Sequence, residues 1–122
     1  MSDGPPQRAG VIGVGSMGEN HARVYDQLDS TVLTGVFDVQ GDRAADVADE
    51  YGTVAMDLDV LLDTVDVASV TVPTSHHHAM ARECLLRGVD TLVEKPFVAD
   101  PENGRDLAAL AEEYDATLQV GH

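Results

Sequence analysis

Cysteine occurs once in this chain, at Cys84, and lysine once, at Lys95. A lone thiol excludes an internal disulfide, and with it a small scaffold that depends on such staples. Basic residues number only 7 against 22 acidic ones, a formal net charge of −15. That leaves no basic stripe to meet phosphates, which argues against a nucleic-acid partner. No apolar run approaches the length of a membrane span, and the N-terminus lacks the basic-then-apolar pattern of a secretion signal. A membrane partner is therefore not expected, and the cytoplasm is the expected location. Internal repeats and linkers are missing too.

What is present suits one folded domain. The chain has 122 residues, 43% of them hydrophobic, enough to bury a core. Residues 1–7 read as a flexible tail and residues 8–122 as the domain. Acidity is spread over expected helix faces and turns rather than gathered in an arm. Self-repulsion on this scale destabilises a compact state unless salt screens it, so the composition points to adaptation to high intracellular salt.

Strand and helix patterns alternate along the whole domain. Residues 8–14 form a nearly continuous apolar run, suited to a strand buried on both faces. A helix is expected over residues 16–28, with Met17, His21, Val24, Tyr25 and Leu28 on one stripe. Residues 31–37 read as a second strand, followed by a helix that buries Ala44, Val47, Ala48 and Tyr51 and stops at Gly52. A short third strand is expected at residues 53–55. Asp57 then caps a helix burying Leu58, Leu61, Leu62 and Val65. The fourth strand spans residues 67–72, and the next helix turns Met80, Ala81, Cys84 and Leu85 inward and stops at Gly88. Residues 91–93 form the fifth strand, Asp100-Pro101-Glu102 opens the last helix, and residues 117–120 form the sixth strand. Such alternation predicts an α/β fold, a doubly wound parallel sheet of six strands in the Rossmann order 3-2-1-4-5-6. A ligand then belongs at the carboxyl ends of the first and fourth strands, where the winding reverses.

The glycine loop lies there. Gly13, Gly15 and Gly18 are spaced G-x-G-x-x-G: the first for the turn, the second for approach to a pyrophosphate, the third for close helix packing. Ser16 and Met17 complete the expected cofactor-binding loop at the helix start. Asp38 ends the second strand twenty residues after Gly18, where a carboxylate binds ribose hydroxyls and repels a 2′-phosphate. NAD is therefore the expected cofactor. Arg43, five residues on, keeps NADP possible. Val72-Pro73-Thr74 ends the fourth strand across the crevice, with the Thr74 hydroxyl available to the cofactor. The adjacent histidines His76, His77 and His78 point in different directions and lack a ligand-spaced partner, so no metal site is expected. His21, on a helix stripe, reads as a partly buried histidine. Glu94-Lys95-Pro96 falls at the rim of the same crevice. Lys95, the single lysine left on an acidic surface, is the expected catalytic group, stabilising negative charge that develops during hydride transfer. Glu94 is placed to hold its ammonium.

In order and spacing, residues 8–122 resemble the N-terminal domain of the glucose–fructose oxidoreductase / inositol dehydrogenase (Gfo/Idh/MocA) family. The glycine loop with His21, the segment Val72-Pro73-Thr74 with His77 downstream, and Leu92-Val93-Glu94-Lys95-Pro96 carry the resemblance. Val72 and Thr74 replace the family's Thr and Asn on either side of the proline. The resemblance implies that these residues bind NAD or NADP, and that Lys95 contacts substrate near the nicotinamide. It also implies a small-molecule sugar, inositol or related polyol substrate, oxidised or reduced at a hydroxyl-bearing carbon by the full-length enzyme. In the family a C-terminal α/β domain supplies the acid/base histidine and usually the oligomer contacts. Residues 1–122 contain no such domain, so the chain is expected to be inactive by itself, with homo-oligomerisation possible. A free-standing nucleotide-binding module with a sensing or assembly role is the rival expectation.

The charge balance yields a first prediction. The melting temperature followed by circular dichroism is expected to rise steadily from low to multimolar KCl; a flat or falling curve removes the salt-adaptation hypothesis.

Overall fold

Val11 and Ile12 point to opposite faces of one strand, and both are fully buried in the computed structural model of the chain. A strand covered on both sides needs an apolar run rather than alternation, and β1 (Gln7–Ile12) has one from Ala9 onward. The structure describes residues 6–94 and 100–120, without the side chain of Thr74. After β1 come α1 (Ser16–Gln27), β2 (Thr31–Phe37), α2 (Gly41–Tyr51), α3 (Leu58–Thr64) and β3 (Val67–Val70). A 3-10 turn (Thr74–His76), α4 (His77–Leu86), β4 (Asp90–Val93), α5 (Pro101–Glu113) and β5 (Leu118–Val120) complete the order. Among the described residues no helix is long and apolar enough to cross a membrane.

The sheet has five strands in the order β2-β1-β3-β4-β5, and every pairing is parallel. This corrects the expected six-stranded 3-2-1-4-5-6 sheet. Residues 53–55, expected as the third strand, make a single bridge from Ala55 to Val36. Two hydrogen bonds carry it: the Val36 N–H donates to the Val54 carbonyl, and the Met56 N–H to the Val36 carbonyl, each at 2.9 Å. Between the left-handed Gly52 that ends α2 and the Asp57 position that starts α3, the chain meets β2 at this one bridge and then turns into the helix. The winding reverses between β1 and β3.

Two cores sandwich the sheet. On one face Ala22 of α1 and Ala44, Val47 and Ala48 of α2 pack on Val11, Leu33 and Val36. On the other, Leu61 and Leu62 of α3, Ala81, Cys84 and Leu85 of α4, and Leu107 and Leu110 of α5 pack on Ile12, Ala68, Val70 and Val93. Burial pushes the Cys84 thiol up to about 12, so it packs as an apolar group rather than a nucleophile.

Two local expectations fail. α1 meets the sheet through Gly18 and Ala22, while Met17, Val24 and Leu28 of the expected stripe are exposed. Small residues let the helix approach closely, and that approach rotates the larger ones outward. Asp57 occupies the N-cap position of α3, but its side chain makes no capping bond. Asp100 does cap α5, accepting the Glu102 N–H at 2.9 Å.

Leu61 of α3 is among the largest fully buried side chains. It is fully buried over Gly10 and Gly35, where an added β-carbon would come within 2.8 and 3.0 Å of its Cδ1. Leu61→Ala is expected to destabilise the domain by about 3 kcal/mol, read as a lowered urea midpoint with an unchanged slope.

Candidate dinucleotide-binding site

The carboxyl ends of β1, β2 and β3 open onto a cleft of about 560 Å³. Gly13, Gly15, Ser16 and Met17 line one side, Phe37, Asp38, Gln40 and Arg43 a second, and Thr71, Val72, Pro73, His76 and Met80 a third.

Gly13 leaves β1 with φ at 91°, a conformation that a side chain would strain. Its N–H donates to the Phe37 carbonyl at 2.7 Å, which ties the turn to the end of β2. Gly18 stands against the same turn. A β-carbon on it would lie 1.8 Å from the Gly13 carbonyl oxygen, so no other residue fits without moving backbone. The Thr71 hydroxyl donates to that carbonyl and is 3.1 Å from the Ile12 carbonyl. Sequence reasoning missed Thr71, since a threonine at a strand end has no pattern that sets it apart from any β-branched strand residue. Gly15 is different. A β-carbon there would have only an Arg43 guanidinium nitrogen nearby, at 3.7 Å. Gly15 also provides no side-chain cap, so the first N–H groups of α1 are not answered by one.

Asp38 is nearly buried, its side chain 6% exposed. Oδ2 accepts the Val14 N–H at 2.9 Å and Oδ1 accepts the Gln40 N–H at 2.8 Å. The carboxylate therefore clamps the glycine loop to the start of α2, a role that strand-end spacing alone does not reveal. Each oxygen retains a further lone pair. The Arg43 guanidinium lies 4.0 Å from Oδ2 and also lines a neighbouring polar pocket with Glu19, Asp46 and Glu50.

The three consecutive histidines diverge. His76 lines the cleft, and its N–H donates to the Pro73 carbonyl at 2.8 Å. His77 is 2% exposed, and its Nε2–H donates to the Val72 carbonyl at 2.7 Å, so it sits beneath the turn and holds it. His78 reaches Asp106 of α5 at 2.7 Å, where Arg82 also arrives at 3.1 Å. That His78 bond, with Arg82, holds the Asp106 carboxyl below the usual carboxylate range. Among the described residues no group of three His, Cys, Asp or Glu side chains is arranged to hold a metal ion. Thr74 opens the 3-10 turn, while its side chain lies outside the described atoms.

Glu94 follows β4, and its Oε1 lies 2.5 Å from His21 Nε2. His21 Nδ1 is 2.9 Å from Ser69 Oγ, which is 2.7 Å from the Tyr25 hydroxyl. Burial raises the Tyr25 phenol above its ordinary range. Lys95 and Pro96, expected at the same rim, lie outside the described residues.

A parallel sheet that reverses its winding beside a glycine turn and an open helix start defines a Rossmann-type dinucleotide-binding domain. Residues 7–122 match the family described as "Oxidoreductase family, NAD-binding Rossmann fold", and the chain belongs to this family, Gfo/Idh/MocA. It is 43% identical over 116 residues to UDP-N-acetylglucosamine 3-dehydrogenase of Acidithiobacillus ferrooxidans, covering 94% of this chain and 36% of that protein. The solved structure of that dehydrogenase, GnnA, superposes with a TM-score of 0.93 at 42% identity, over 97% of this chain and 39% of that one. GenD2 from gentamicin A biosynthesis, solved in complex with NAD, gives 0.92 at 32% identity, over 99% of this chain and 36% of that one. Inositol 2-dehydrogenase 2 of Paenarthrobacter aurescens is 32% identical over 119 residues, 95% of this chain and 35% of that protein. The chain thus spans little more than a third of the length of these relatives.

The glycine contacts separate two substitutions. Gly18→Ala must displace the Gly13 carbonyl and is expected to cost about 3 kcal/mol, an overpacking penalty. Gly15→Ala meets only a mobile guanidinium and is expected to cost less than about 1 kcal/mol. Paired melting curves at fixed KCl check the order; equal losses would contradict the close approach of α1.

Proposed function

We propose that this domain binds NAD(H) in the cleft at the β1–β3 switch point, as one part of an enzyme that moves hydride to or from a hydroxyl-bearing carbon. The substrate class is a sugar, inositol or nucleotide sugar, as the names of the relatives suggest for their own substrates. The observation that carries this is the contrast within the glycine loop: closed at Gly18, open at Gly15, with an uncapped helix start beside it. A pyrophosphate has both the space and the donors it needs there.

The residues divide the work. Backbone N–H groups at Ser16, Met17 and Gly18 meet the pyrophosphate, and Gly13 supplies the turn that lets them do so. Asp38 keeps the loop closed through Val14 while its free lone pairs accept ribose hydroxyls. A 2′-phosphate would meet that same nearly buried carboxylate, so NAD is preferred over NADP, with the Arg43 guanidinium, 4.0 Å from it, placed to offset part of the charge. Val72 and Pro73 line the opposite wall, Thr74 follows them in sequence as a further cofactor contact, and His77 keeps the turn in place through the Val72 carbonyl. When bound, the nicotinamide ring supplies the hydride donor or acceptor. Lys95, next to Glu94 in sequence, donates a hydrogen bond to the substrate oxygen and stabilises the negative charge that develops on it. Substrate choice and the acid/base group belong to a C-terminal domain outside residues 1–122, so this chain alone binds cofactor without turnover. That further domain also supplies the surfaces for homo-oligomers, and the whole protein works in a salt-rich cytoplasm.

Calorimetry with NADH and NADPH in high salt tests the proposal. NADH is expected to bind more tightly, and Asp38→Ala to weaken it at least about tenfold. No binding to either cofactor overturns the function. Unchanged affinity in Asp38→Ala removes its ribose role.

A further inference from the structure

Ser69 is a fully buried hydroxyl in the central strand. Alternation along β3 sends its side chain to the α1 face, opposite Ala68 and Val70. There it joins Tyr25, His21 and Glu94 in one line of hydrogen bonds running from α1 through β3 to the carboxyl end of β4. An ionised carboxylate only accepts, so His21 Nε2 carries the proton toward Glu94. A neutral imidazole then satisfies every group in a single direction: Tyr25 donates to Ser69, Ser69 to His21 Nδ1, and His21 to Glu94. The His21 and Glu94 side chains are 12% and 19% exposed, so the link between them is largely sheltered from water.

We propose that His21 is a positioning residue for the nicotinamide half of the cofactor, acting by holding Glu94 at the end of β4. The inference rests on the dinucleotide site argued above. Asp38 follows β2, the glycine loop follows β1, and Glu94 follows β4, with β3 between the last two. An adenosine at Asp38 and a pyrophosphate on the loop direct the second nucleoside toward β3 and β4. Glu94 lies on that side, just past the end of β4 and beyond the cleft residues Thr71, Val72 and Pro73, and it is held by a ring on the same helix whose first turn lines the cleft. One helix therefore serves both halves of the ligand: its N-terminus sets the phosphates and its second turn sets the far rim.

The test compares two ligands on the 122-residue chain at one KCl concentration. NADH and ADP-ribose share the adenosine and the pyrophosphate, and only NADH carries nicotinamide. His21→Ala is expected to weaken NADH about tenfold while changing ADP-ribose less than about twofold. His21→Gln places an amide donor near the Nε2 position and is expected to recover NADH binding. His21→Asn places its amide near Nδ1, within reach of Ser69 but short of Glu94, and is expected not to. Equal losses for both ligands in His21→Ala, an unchanged NADH affinity, or recovery by Asn as good as by Gln each overturn the inference. Should His21→Ala fail to fold, the Gln and Asn pair decides alone. Equal affinity of the unmodified chain for NADH and ADP-ribose overturns the inference and leaves the cofactor site standing. Failure to bind either ligand removes the site and the inference together.

Discussion

The backbone of Gly18 stands where a β-carbon would be 1.8 Å from the Gly13 carbonyl oxygen. The rest of the site depends on this contact, because it brings the start of α1 directly against the turn that leaves β1. The Gly13 carbonyl also accepts the Thr71 hydroxyl from the end of β3, and the Gly13 N–H donates to Phe37 at the end of β2. Asp38 completes the clamp through the Val14 N–H. Three strands and a helix thus converge on a few atoms of loop backbone. The loop is tied down on those sides, and its open side, at Gly15, is the side toward the cleft.

The same close approach dictates how α1 is used. A helix that meets the sheet through Gly18 and Ala22 has no room for larger residues between them, and Met17, Val24 and Leu28 turn outward. His21 and Tyr25 fall at the edge of the seam, half-buried, where polar groups can reach Ser69 and Glu94. What reads in one dimension as an apolar stripe is in three dimensions a seam of small residues flanked by a hydrogen-bonded line.

Acidity shapes the surface more than the site. Of the arginines, Arg8 pairs with Asp66, Arg82 with Asp106, Arg87 with Asp59, and Arg43 approaches Asp38. The first three pairs are exposed at one or both partners, and such pairs contribute little to stability. Most carboxylates have no cation to offset them, so screening must come from the solvent. Asp38 at the cleft and Glu94 at the end of β4 are instead held by hydrogen bonds to backbone and to a histidine, which salt screens far less.

Local chemistry was legible wherever a residue type has one mechanical use. Gly13, Gly52 and Gly88 take positive φ, Asp100 caps α5, and the glycine loop sits at the switch point. Those features depend on neighbours within a few residues, and the sequence alone determined them, together with the parallel α/β class and the family. The third strand was not legible, since strand character at residues 53–55 does not say whether the segment pairs with β2 along a ladder or at a single bridge. Nor were Thr71, the buried His77, the clamp by Asp38, or the line from Tyr25 to Glu94. All but His77, which reaches back five positions to Val72, join residues far apart in the chain: His21 and Glu94 are separated by 73 positions, Thr71 and Gly13 by 58. Only the winding of the sheet sets such pairs within hydrogen-bonding distance, and no periodicity or spacing in one dimension records it.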